Sequence, residues 1–142
     1  MRFESAPRHP AEFIFTGIEL LAALAQQTAA TDHLIWLASR PAQVVVGIRL
    51  STILSFYDAD EQTMLDQQRA NLGGFKSRLQ LRSGLEFKLF ATAKDVAQKL
   101  AAADAAETWD EVFIGVEAQD PVGVVHISSR HVERITGSRE VT

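Results

Sequence analysis

A chain of 142 residues is the usual size of one domain, and folding at this length buries roughly two-thirds of the surface the unfolded chain exposes, enough for a core without staples. Apolar residues make up 46% and charged residues 23%, a globular rather than a disordered balance. The absence of cysteine excludes a disulfide framework, a cysteine nucleophile and thiolate-held metal sites, and a net charge of −4 gives no global nucleic-acid signature.

Residues 1–10, with Pro7 and Pro10, read as a loose arm lacking the continuous apolar stretch of a signal peptide. Glu12 to Thr16 is a short β-like run around Phe13, Ile14 and Phe15. Ile18 to Ala30 reads as a helix whose apolar residues cover more than one stripe, so burial is expected. The apolar run from Ile18 to Ala25 is too short to span a bilayer. A cytoplasmic protein without membrane contact is expected, and the preference for Ala and for Arg over Lys points to a bacterial source.

Leu34 to Ala38 is a short strand around Trp36, broken by Arg40-Pro41. Gln43 to Tyr57 carries the strongest strand signal. Val44, Val46, Ile48, Leu50, Leu54 and Phe56 share one parity and are predicted to face the core, with a bend near Gly47 or Ser51-Thr52. Asp58 then stands as a helix N-cap with Glu61 three residues on, a capping box. That helix runs to about Asn71 and stops at Gly73-Gly74.

Phe75 to Phe90 is a hairpin whose register can be derived. A two-residue loop would pair Leu81 with Glu86 and carry charge into the core. A three-residue loop, Arg82-Ser83-Gly84, pairs Leu81 with Leu85, Leu79 with Phe87 and Ser77 with Leu89, which leaves one face nearly all apolar. Gly84 then takes the left-handed position such a loop requires. Thr92 caps the next helix, with Asp95 at its third position. Val112 to Ala118 and Val122 to Ser128 form a second hairpin, expected to be central and covered on both faces. Ser129 to Thr136 fits either a short helix or a last strand.

Hairpins dominate over crossover units. The fold class is therefore α+β, a mainly antiparallel sheet built from hairpins with about three helices packed against it. One domain over residues 11–137 is expected, with a frayed tail over 138–142. No internal repeat is visible.

Asp58-Ala59-Asp60-Glu61 directly follows the strand Ile53–Tyr57. Carboxylates two apart at a strand end can share a hard cation such as Mg²⁺ or Mn²⁺. This Asp-x-Asp resembles that of haloacid-dehalogenase-type phosphotransferases and of Toprim nucleases and primases. The resemblance covers about ten residues and implies metal-dependent phosphate chemistry with Asp58, Asp60 and Glu61 as ligands. Gln62 departs from the first pattern, which has Thr or Val there. Neither Glu12 nor Glu19 is followed by the Gly of the second.

His126 and His131 are five apart, a spacing that suits neither a strand face nor a helix face, and His126 is placed opposite Ile114. Asp32-His33 could orient a base, but no partnered nucleophile accompanies it. His9 falls in the arm.

Between Arg69 and Lys88 five basic residues face one acid, Glu86, so this window carries +4 and the rest of the chain −8. Lys76, Arg78 and Lys88 on the outer hairpin face, with Arg82 at its tip, could follow a phosphate backbone or meet an acidic protein. Phe13-Ile14-Phe15, Trp36 and Val124-Val125 offer more apolar surface than one small sheet obviously covers, which suggests association. The leading expectation is a non-enzymatic binding or assembly module that forms a homo-oligomer and contacts a protein partner, without a cofactor. The alternatives are a Mg²⁺- or Mn²⁺-dependent phosphotransfer or nuclease-type enzyme using Asp58, Asp60 and Glu61, and a small nucleic-acid-binding domain using Lys76, Arg78, Arg82 and Lys88.

Overall fold

The computed structural model describes residues 1–39, 44–58, 75–120 and 122–137. Ten strands and three helices lie among them. β1 (Arg2–Ser5) and β2 (His9–Glu12) form a hairpin that leads into α1 (Gly17–Leu24). β3 (Leu34–Ala38) and β4 (Val45–Arg49) follow, then a 3₁₀ turn at Leu50–Thr52 and β5 (Ile53–Tyr57). The hairpin of β6 (Ser77–Leu81) and β7 (Glu86–Leu89) precedes α2 (Ala93–Ala103) and the single-turn α3 (Trp109–Val112). β8 (Phe113–Asp120) and β9 (Val122–Ser128) form the next hairpin; a 3₁₀ turn at Ser129–His131 leads into β10 (Val132–Gly137). Eight strands form one antiparallel sheet in the order β10-β6-β7-β8-β9-β5-β1-β2, and β3 and β4 form a separate pair.

The derived hairpin register is the observed one. Leu79 pairs with Phe87 and Ser77 with Leu89, the Leu81 amide donates to the Leu85 carbonyl, and Gly84 takes a φ of 94°. The Thr92 hydroxyl caps α2 by accepting from the Asp95 amide. The long strand predicted over 43–57 is two strands. Its bend falls at Ser51-Thr52, where the Asp32 carboxylate accepts from the Ser51 amide and hydroxyl and the Thr52 hydroxyl donates to the Arg49 carbonyl. Segment 129–136, expected as either a short helix or a last strand, is a three-residue 3₁₀ turn followed by the last strand.

Five expectations need correction. The hairpin of β8 and β9 is central but not covered on both faces, since Glu117, Gln119 and Val124 are exposed. Residues 1–10 are not a loose arm, because Phe3 is buried between β2 and β5 partners and locks the N-terminus into the sheet. The first helix stops at Leu24 rather than Ala30. The Gln26 and Gln27 amides close tight turns onto Ala23 and Leu24, and the Ala29 amide is drawn away to Glu107. His126 lies opposite Gly115, one residue from Ile114. Val44 and Val46 are exposed, because β4 joins the small pair while β5 enters the main sheet. The helix predicted over 58–71, Gly73-Gly74 and the tail 138–142 lie outside the described residues, Asp58 excepted.

An internal repeat, which the sequence reading did not detect, is present in the pairing. In the first half Arg2, Phe3 and Glu4 pair with Tyr57, Phe56 and Ser55; in the second Arg78, Leu79 and Gln80 pair with Thr136, Ile135 and Arg134. Each of these ladders shifts register at the corresponding place, next to Ser5 and next to Val132. Trp36 opposite Gly47 corresponds to Gly115 opposite His126. The Ile14 amide donates to the Ala38 carbonyl, as the Phe90 amide does to that of Glu117. Ala6 donates to Thr52 as Arg82 donates to His131. Each half is thus a hairpin, a helix, a second hairpin, a 3₁₀ turn and a strand that returns beside the first. The halves meet reciprocally at Thr28 and Thr108, where the Ala29 amide donates to Glu107 and the Trp109 amide to Gln27, each at 2.9 Å. β5 of the first half pairs with β9 of the second. Two apolar clusters result, one around Phe3, Leu20 and Phe56, the other around Leu79, Phe87 and Val96, with Trp109 and Phe113 crossing into the first and Leu54 into the second.

Candidate functional site

Asp58 sits at the end of β5, but its carboxylate serves another element. Both oxygens accept from the Gly17 amide, at 2.8 and 2.9 Å, and so satisfy an orphan donor at the start of α1. A Cβ on residue 17 would lie 3.0 Å from Asp58 Oδ2, so glycine there admits the carboxylate. Asp60 and Glu61 lie outside the described residues. Among the described residues no three His, Asp or Glu side chains converge as a metal site.

The basic hairpin residues divide by position. Arg78 and Lys88 are direct partners across β6·β7, and both place their charge over the Phe75 ring, at 5.0 and 5.4 Å from its centroid. Arg78 also meets Glu86 at 3.6 Å. Arg82 is exposed at the hairpin tip and Lys76 lies at the foot of β6. β10 lies alongside β6 and adds Arg134 opposite Gln80. The face therefore carries partly neutralised charge, screened further by salt.

The histidines do not converge. His126 stacks on Phe56 with ring centroids 5.0 Å apart, and burial holds its pKa below the ordinary value against the weaker pull of Asp58. His131 Nε2 donates to the Ser51 carbonyl at 2.7 Å and ties the two 3₁₀ turns together. His33 bonds the Thr31 hydroxyl, and the neighbouring Asp32 is engaged by Ser51 and Arg49. Burial raises the Asp32 pKa, but the Ser51 hydroxyl and amide and the Arg49 charge outweigh it, and the net shift is downward. A cleft of about 640 Å³ opens between β1–β2 and the β6–β7 hairpin, with Arg2, Glu4, Glu12, Tyr57 and Glu86 on its walls. Contact with Tyr57 raises the Arg2 pKa further above its already high ordinary value.

The most unusual surface is the β3–β4 pair. Strand alternation sends Ile35, Leu37 and Ile48 inward, with Leu37 fully buried. The opposite face carries Leu34 at 49% exposure, Trp36 at 63% and Val45 at 63%. Gly47 faces Trp36 across the ladder, and a Cβ there would lie 2.9 Å from the indole, so the ring lies flat over glycine. Ile14, bonded through its amide to Ala38, extends the apolar surface beside β3. The sequence flagged Ile14 and Trp36. It misplaced Val44 and Val46, because alternation alone cannot register that a strand leaves the main sheet. Of the other flagged residues, Phe13 and Val125 are buried, while Val124 is exposed.

The chain matches no family model, and neither the curated proteins nor the solved structures give a significant match. No helix among the described residues is long and apolar enough to cross a membrane.

Proposed function

We propose that this protein is a non-enzymatic assembly module that self-associates and contacts a protein partner. The observation that carries the reading is the outward face of β3–β4, where Leu34, Trp36 and Val45 form an apolar surface on a two-stranded element at the margin of the fold. Isolated exposed apolar residues are common, but a contiguous set with an aromatic at its centre is typical of an interface core. Full burial of each such side chain contributes about 1.5–3 kcal/mol.

Trp36 reports directly on this. Its indole is exposed in a single copy, whereas Trp109 is 1% exposed and donates to the Thr31 carbonyl. Acrylamide quenching at high protein concentration is expected to leave both tryptophans protected, with a quenchable fraction appearing on dilution. A quenchable tryptophan at every concentration would defeat the proposal.

A further inference from the structure

We infer that β10 closes onto β4 of the same chain and masks the face that carries Trp36, which makes the seam between these strands an autoinhibitory switch. Closure is a property of the single chain. Its effect on association rests on the self-association proposed above.

The register follows from the seam already formed. β5 and β9 run antiparallel, with Phe56 opposite His126 and Ser55 opposite Ile127. Counted on into both 3₁₀ turns, Ser51 falls opposite His131, and there His131 Nε2 donates to the Ser51 carbonyl at 2.7 Å. Two steps further the count reaches β4 and β10. It places Arg49 opposite Glu133, Ile48 opposite Arg134, Gly47 opposite Ile135 and Val46 opposite Thr136. The repeat gives the same register by a separate route, since β4 corresponds to β9 and β10 to β5. Yet no β4–β10 ladder forms among the described residues, and each strand stands at the end of its sheet. The His131–Ser51 bond thus holds the base of an open seam whose two edges belong to one chain.

The side chains show why this seam is open and what closing it does. At the formed seam Phe56 stacks on His126, whose ring lies against Gly115. Leu54, the residue left unpaired at the β5 register shift, is buried there in the second cluster. Ile135 stands in the place of Phe56 and would meet Gly47, the glycine under the Trp36 ring. Closure brings the half-buried Ile135 against the indole, as Phe56 lies against His126. Glu133 stands in the place of Leu54, unpaired at the β10 register shift and exposed. A carboxylate where the other seam has a leucine disfavours closure. Arg49 faces it and offsets this by exchanging Asp32, its present partner at 3.8 Å, for Glu133. Closure also pairs the backbone groups of two open edges, which otherwise invite foreign strands. The open state offers Trp36 to a partner and the closed state withdraws it, so closure and association compete.

The absence of native cysteine makes the switch testable. Directly opposed residues of an antiparallel pair have Cα atoms about 4.5–5.5 Å apart, within the range a disulfide spans. The double variant Val46→Cys, Thr136→Cys is oxidised mildly at low concentration, beside the out-of-register control Val46→Cys, Glu133→Cys. Mass is then read by light scattering and Trp36 by acrylamide quenching, since Trp109 is buried. The expected result is a disulfide within one chain in the first variant alone. That chain stays at 15.6 kDa when concentrated and loses its quenchable tryptophan, and reductant reverses both. Glu133→Leu, without cysteines, is expected to lower quenching in dilute protein and to weaken association. No disulfide within the chain, equal yields in both variants, or linked pairs of chains would overturn closure in this register. An oxidised single chain that stays quenchable or still associates would overturn the masking. A closed, shielded oxidised chain beside a wild type that stays at 15.6 kDa at all concentrations supports closure and removes self-association.

Discussion

His126 is stacked on Phe56 and half-buried, and burial disfavours its charged form. Its folded pKa lies below the ordinary value near 6.5, so as pH falls the unfolded chain takes up the proton first. The stability contributed by the neutral ring is complete above about pH 6.5 and declines from there down to the lowered folded value. A melting series from pH 7.5 to 5 is expected to show this fall, and His126→Phe, which keeps a ring against Phe56, is expected to flatten it. An unchanged slope in the variant would place the acid sensitivity elsewhere. Asp58 gives a second test. Asp58→Ala leaves the Gly17 amide without its carboxylate and is expected to lower stability by about 1 kcal/mol in urea unfolding. Because both Asp58 oxygens are already engaged, millimolar Mg²⁺ or Mn²⁺ is expected to leave the melting temperature unchanged. A rise that disappears in Asp60→Asn would put the metal-dependent reading ahead.

At the level of elements, local chemistry was the part most readily read. The β6–β7 register followed from keeping Glu86 out of the core and from Gly84 at the loop's left-handed position. A Cβ at Gly84 would meet nothing within 4 Å, so Gly84→Ala isolates the backbone term and is expected to cost about 1 kcal/mol. Stability equal to wild type would show that the loop relaxes. The Thr92 cap was legible for the same local reason, since its hydroxyl bonds nearby backbone, whereas the bend was narrowed only to Gly47 or Ser51-Thr52, because Asp32, which holds Ser51, is remote in sequence. The length of α1 and the role of residues 1–10 were not, because each depends on a remote partner: Glu107 for Ala29, and Phe56 and Ala11 for Phe3. The burial of Val44 and Val46 was misjudged for a related reason. Their alternation is correct for a strand, but the sheet to which β4 belongs is small and its margin is exposed. Asp58 was read as a helix cap, and its carboxylate accepts from the Gly17 amide at the start of α1; the segment that follows it lies outside the described residues.

Across the whole molecule, the two halves share a pairing scheme and a few side chains: Val45, Val46 and Ile48 correspond to Val124, Val125 and Ile127, Ile35 to Ile114, and the helix cap Thr16 to Thr92. Elsewhere Trp36 corresponds to Gly115, Gly47 to His126 and Phe56 to Ile135, so at most positions the repeat survives in register rather than in residue identity. That is why the sequence reading detected no repeat. The candidate surface lies on β3–β4, the pair that corresponds to β8–β9 of the second half. The apolar side chains there are worth about 1.5–3 kcal/mol each when buried, against an association cost of about 4–15 kcal/mol. The patch alone therefore supports a weak, concentration-dependent contact. Such an interface is mainly apolar, so raising salt from 0.1 to 1 M is expected not to weaken it. Nucleic-acid binding by Lys76, Arg78, Arg82 and Lys88 would weaken steeply over the same range.

The most direct test of self-association is the mass in solution, by size-exclusion chromatography with light scattering and absorbance at 260 and 280 nm. The expected result is a single species at an integral multiple of 15.6 kDa, without excess 260 nm absorbance, that reverts to 15.6 kDa in a Trp36→Ser, Val45→Ser variant. A wild-type chain that remains at 15.6 kDa at all concentrations would contradict the account.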